Sequence, residues 1–243
     1  FEQGKVDPTK TRVSPDCGAA GWWTDLFYAL DGTTYVTDSF GQLRIHPPGA
    51  PSGHAAWTTF ALDFEPTGVW GLDDGVLYVW GFESSGRPVF ERLVQGAFTR
   101  LAAPAVPVDH LHGIAHDTIF AGGEGGYVAR FDGAQWREVR VPTGNSITGL
   151  FVAGPDEFYA VTAFGLVMEG SATGWVERAR VDYELGAVAK KYDRVWVGAY
   201  EEGLLALVDK TDELEVVDHD LHARRFDVRG NLLVTCKNQI ADS

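Results

Sequence analysis

Cysteine, basic residues and long apolar runs are all scarce in this chain, and each shortage excludes something. Two cysteines, Cys17 and Cys236, among 243 residues are too few for a disulfide scaffold or a four-thiolate zinc site, though they suffice for a single bridge. No apolar run approaches the roughly 20 residues a membrane-spanning helix needs, so no membrane insertion is expected. With 20 Lys and Arg against 34 Asp and Glu, the formal charge is −14, which repels nucleic acid and anionic lipid and favours a basic partner. There is no G-x-S-x-G elbow, no H-E-x-x-H helix and no phosphate loop. The glycine-rich "GGEGG" at 122–126 lacks a following Lys and helix, and reads as a turn. No segment carries a helical period long enough to compete with strand patterns.

What is present is apolar, aromatic and periodic. Hydrophobic residues make up 45% of the chain and aromatics 12%, with eight Trp, a composition for packing rather than for disorder. Short strand-like runs recur: "TTYVTD", "VLYVWG", "TIFAGG", "EFYAVT", "RVWVGA" and "NLLVTC". Their anchors, Tyr35, Tyr78, Phe120, Tyr159, Trp196 and Leu233, are 43, 42, 39, 37 and 37 residues apart. Each unit divides into four strands at Gly, Asp or Asn turns, as between Ile147 and Val181. A four-stranded sheet repeated about every 40 residues is the signature of a propeller blade. Six anchors predict an all-β, six-bladed β-propeller occupying 1–243 as one domain. Only ten residues follow Leu233, so the last blade is expected to borrow its outer strand from the N-terminal "FEQGKV", which closes the ring and removes a sheet edge. "SPDCGAAG" and "HPPGAPSGHAAW" read as loop insertions.

Residues 108–182, with "GGEGGYVARFDGAQWREV", "GPDEFYAVTAFGLV" and "GWVERA", resemble the loosely defined repeats of bacterial propeller proteins, many of them secreted, whose blades read G-x-D-x-x-Y-A-V, then Gly, then a late Trp. That resemblance implies the propeller fold and leans toward a periplasmic or secreted setting. It implies no activity, because propellers serve as binding discs, lectins, hydrolases and lyases alike. A chain starting at Phe1 also reads as processed or trimmed.

On such a scaffold, function is expected on the face carrying the turns between second and third strands. Those turns hold Phe40, Phe82, Glu124, Phe164 and Tyr200, with Glu83, Glu201 and Glu202 beside them, the mix of apolar anchors and acids that suits an interface. The competing reading is that these rings fold inward between blades. Aligning the inner strands on Gly68, Gly113, Gly149 and Gly186 puts Asp25 and Arg225 in the same column on neighbouring blades. An ion pair near the channel is therefore expected, with Arg224 as a second cation able to receive a carboxylate. Cys17 and Cys236 fall near the same seam.

The same alignment puts His110 level with Trp22, Tyr183 and His222 just before the inner strands, His112 on a polar rim and His116 in an apolar column, as a hydrogen-bonded core residue. His110, His112 and His222 are the candidate metal ligands, although zinc needs three or four converging donors. The reading is of a non-enzymatic monomer without cofactor that binds a basic protein, in the manner of an inhibitor or immunity-type protein. The alternatives are a metal-dependent lyase or hydrolase at the channel mouth and a carbohydrate-binding disc, the latter calling for exposed Trp and Tyr.

Overall fold

The computed structural model describes residues 22–51, 53–208, 211–229 and 232–237. Five antiparallel four-stranded sheets follow one another along the chain. Blade one contains β1 (Trp23–Tyr28), β2 (Thr34–Asp38), β3 (Gln42–His46) and β4 (Thr58–Ala61). Blade two contains β5 (Glu65–Leu72), β6 (Val76–Phe82), β7 (Pro88–Val94) and β8 (Ala97–Arg100). Blade three contains β9 (His110–Ala115), β10 (Thr118–Gly122), β11 (Val128–Phe131) and β12 (Trp136–Glu138). Blade four contains β13 (Ile147–Gly154), β14 (Glu157–Thr162), β15 (Leu166–Ser171) and β16 (Gly174–Arg180). Blade five contains β17 (Leu185–Lys191), β18 (Arg194–Ala199), β19 (Gly203–Val208) and β20 (Glu213–Asp218). A two-stranded sheet follows, β21 (Ala223–Arg229) with β22 (Leu232–Lys237). The first strand of each sheet packs beside the first strand of the next, from β1 through β5, β9, β13 and β17 to β21. "FEQGKV", Cys17 and "QIADS" lie outside the described residues.

Burial follows strand order. All five residues of β10 are buried and so are all but the first of β14, whereas β4 and β20 are almost entirely exposed. A strand covered on both faces must be apolar throughout, which is why the anchors sit on second strands. The blades hold together through aromatic packing supplemented by a few directed hydrogen bonds. Tyr78 stacks on Phe90 at 5.2 Å, and Phe90 meets Phe131 of blade three edge-on at 5.4 Å. The fully buried Trp80 donates its indole N–H to the Val108 carbonyl at 3.1 Å, spanning blades two and three. Burying a ring of this size stabilises by roughly 1.5–3 kcal/mol. Thr148 Oγ1 donates to the Leu185 carbonyl across blades four and five. At the next seam Gly198 touches β21 so closely that a Cβ there would lie 2.2 Å from the Ala223 carbonyl oxygen.

Strand pairing revises the inner-strand alignment. In blades one, two, four, five and the last sheet, a bulge near the start of the first strand inserts one residue. Blade three lacks this bulge and carries one at its other end, between Thr118 and Ile119. Anchor Phe120 consequently faces His112, as Tyr35 faces Phe27 and Tyr159 faces Phe151. The channel column is Asp25, Gly68, His110, Gly149, Ala187 and Arg225, so Gly113 and Gly186 do not belong to it. In the last sheet Val234, not Leu233, takes the anchor position, opposite Asp227. A bulge changes the residue count without changing the pattern of residue types, so counting from glycines misplaces blade three by three positions.

Candidate partner-binding face and central channel

The expected ring of aromatics divides. Phe40 and Phe164 occupy matching turns, closed by hydrogen bonds from Gly41 N–H to the Asp38 carbonyl and from Gly165 N–H to the Thr162 carbonyl. Gly41 and Gly165 both have φ of 73°, the left-handed conformation that glycine adopts without steric cost. Asp38 Oδ1 accepts the Phe40 and Gln42 amides, and Thr162 Oγ1 accepts that of Leu166. Held this way, Phe40 is 61% and Phe164 68% exposed. Trp22, 86% exposed, joins Phe40 on blade one because its amide and carbonyl pair with Ser39. Tyr200 instead lies over Gly186, its ring 3.0 Å from where a Cβ would stand, and Tyr183 is half-buried against the core of blades four and five. Tyr183 packs where blades four and five meet, whereas Tyr200 covers the first strand of its own blade.

Phe82 forms one wall of a groove of about 870 Å³ that runs past Val106, Pro107, Asp109, Glu124 and Tyr127, with Arg140 also on its lining. Among the described residues no cationic nitrogen lies within 4.0 Å of the Asp109 or Glu124 carboxylate. Burial and then Glu124 raise the Asp109 pKa, opposed by Arg225. Not every acid on this face is available. Glu83 is occupied by Arg87 at 2.5 Å and Arg100 at 3.7 Å, Glu202 lies 3.9 Å from His219 Nδ1, and Glu201 is exposed.

In the channel, Arg225 Nη1 meets Asp25 Oδ1 at 2.5 Å, the pair expected at this seam. Asp25 also accepts the Leu26 and Val69 amides at 2.8 and 3.1 Å. Its burial raises its pKa, and Arg225 is the main influence opposing the rise. Arg225 Nη2 reaches across the channel to the Asp109 carbonyl at 3.4 Å, so one guanidinium touches blades one and three from the opposite side. What is left of the channel is a cavity of about 90 Å³. His110 lines it with its imidazole pKa pushed down to about 3, first by burial and second by Arg225. The Arg224 side chain is outside the described set.

The histidine readings change. His112 is not on a polar rim: its ring lies between Trp70 and Phe151, at 5.8 and 4.5 Å, and its Nδ1 accepts the Val152 amide. His116 is hydrogen-bonded as expected but is not in the core; it occupies the turn after β9 with its side chain 42% exposed. His222 precedes β21, with its Nδ1 enclosed and no partner for that atom among the described residues. Among those residues no three His, Cys, Asp or Glu side chains converge, so His110, His112 and His222 form no ligand set.

Sheets repeated about a central channel define a β-propeller. Solved structures similar to this chain agree. The WD40 propeller domain of Doa1 matches with a TM-score of 0.72 at 10% identity over 88% of this chain and 74% of that one. YCF48 bound to a D1 peptide matches at 0.61, with 13% identity over 80% and 66%. Virginiamycin B lyase from Staphylococcus aureus matches at 0.58, with 10% identity over 86% and 89%. These likenesses establish the fold alone. No family model matches the sequence, and neither does any curated protein.

Proposed function

We propose that the protein is a non-enzymatic, six-bladed propeller of one domain that captures a basic protein segment on the face bearing Phe40, Phe164 and the Phe82 groove. Five complete blades plus β21–β22, beside β17 on one flank and tied to blade one by Arg225, support a ring of six. The observation that carries the binding reading is the groove. It joins Phe82 and Tyr127 to two carboxylates, Asp109 and Glu124, that lack a counter-cation among the described residues.

Bringing like charges together in a partly dry groove is unfavourable until a cation arrives, so a Lys or Arg from a partner gains more here than on open surface. The net charge of −14 steers such a partner from a distance. Phe40 and Phe164 supply apolar anchors around that contact. An inhibitor or immunity-type role outside the cytoplasm, toward a basic target, fits this chemistry. That YCF48 was solved with a peptide is consistent with peptide capture by this fold.

Selection of displayed random peptides on the immobilised protein tests the reading. Enrichment of Lys or Arg interleaved with apolar residues is expected, with binding lost when Asp109→Asn and Glu124→Gln are combined. Enrichment of acidic peptides, or none, would overturn it.

A further inference from the structure

A further cavity lies on the face opposite the groove, between blades two and three, and has no part in the capture of a basic segment. Its volume is about 340 Å³, and Tyr78, Arg92, Leu101, His116, Asp117 and Phe131 line it. Arg92 on β7 stands directly across from Tyr78 on β6. In a chain so rich in acids most described arginines have a carboxylate, as Arg44 has Asp38 and Arg100 has Glu91. Among the described residues Arg92 has none within 4.0 Å, and its Nε is fully enclosed without an acceptor. Arg92 is half-buried, so its charge is partly desolvated without a protein carboxylate to offset it, a cost that an anion entering the cavity would relieve.

The wall beside Arg92 is fixed by a hydrogen-bonded chain. Tyr78 Oη and His116 Nδ1 are 2.7 Å apart, and His116 Nε2 and Asp74 Oδ2 are 2.8 Å apart. Burial and, more weakly, Asp74 push the Tyr78 phenol pKa above its ordinary value, against the pull of Arg92. Three blade elements, the β5–β6 turn, β6 and the β9–β10 turn, are thereby locked around the cavity. Its charge balance narrows the ligand. One planar guanidinium suits a two-oxygen anion engaged side by side. Asp117 on the lining and Asp74 behind it repel a second negative charge, while the half-buried Leu101 offers apolar surface to the rest of the molecule.

We propose that this cavity binds a small organic monocarboxylate, with Arg92 clamping the carboxylate and Leu101 lying against its apolar body. The test is calorimetric titration of the full chain with benzoate, acetate and inorganic phosphate. Benzoate is expected to bind saturably at one site, acetate about tenfold more weakly for want of apolar burial, and phosphate no better than acetate. Arg92→Met, which keeps the stem and removes the charge, is expected to weaken benzoate at least about tenfold. Should that variant fail to fold, the arginine Nε–H resonances of the unaltered protein serve instead: the one that disappears in Arg92→Lys should be the one benzoate moves. Absence of saturable benzoate binding, unchanged binding in Arg92→Met, movement of a different arginine resonance, or phosphate matching benzoate would each overturn the proposal.

Discussion

Replacing Arg225 by Met probes the seam between the first and last sheets. Arg225 is the cation on Asp25, a carboxylate whose side chain is 3% exposed, and it also braces the Asp109 carbonyl across the channel. Removing one member of a fully buried pair costs about 3–5 kcal/mol, because the remaining charge is stranded in a dry site. Here Arg225 is itself 35% exposed and Asp25 keeps the Leu26 and Val69 amides, so the loss should be smaller, about 2–3 kcal/mol at pH 7. For a chain of this length that corresponds to a fall in melting temperature of roughly 5–10 °C. Urea unfolding followed by tryptophan fluorescence reads it directly.

The pH dependence adds a second check. Asp25 has a native pKa above its unfolded value, so between the two the native state holds more protons, and stability from this group rises as pH falls. Taking Arg225 away raises that pKa further, since Arg225 opposes the increase. The deficit of Arg225→Met should therefore shrink as the pH is lowered and Asp25 takes up a proton. A cost below about 0.5 kcal/mol at pH 7, or a deficit that stays constant on acidification, would refute a buried pair at this seam.

Other outcomes follow from the same geometry. His110 should keep the NMR shifts of a neutral imidazole down to about pH 3. The unfolded chain gains that proton near the ordinary histidine value and the native chain does not, so this group withdraws stability as pH falls from about 6.5 toward 3, and His110→Asn should flatten that part of the stability profile. Gly198→Ala places a methyl against the Ala223 carbonyl and should destabilise by about 2 kcal/mol or more, loosening β21–β22 first in hydrogen exchange. Phe40→Ala with Phe164→Ala should leave unfolding midpoints within about 0.5 kcal/mol, since both rings are exposed, yet weaken capture of any peptide selected on this face.

How much was legible in the sequence differs from one residue to the next. The periodic anchors and the turn residues around Phe40 and Phe164 announce strands and turns because they are local signals, each carried by a few neighbouring residues. Asp25 and Arg225, 200 positions apart, were also readable, since blades repeat and charges stand out in a glycine column. Phe82, Phe164 and Tyr200 look alike as letters but differ in fate: Phe164 projects from its turn, Phe82 walls a groove, and Tyr200 folds over Gly186. His112 reads as polar yet fills a gap between Trp70 and Phe151.

The sequence by itself determined an all-β chain of repeated four-stranded units, its acidity and the positions of its turns, because strand pattern, charge and turn chemistry are properties of short segments. The tertiary structure alone decided which histidine reaches the channel, because one misplaced bulge moves His110 inward by three positions and no local signal marks it. Likewise it alone left Arg92 without a carboxylate among the described residues and gathered Asp109 and Glu124 into one groove, because those relations exist only once the loops and seams of neighbouring blades are packed together.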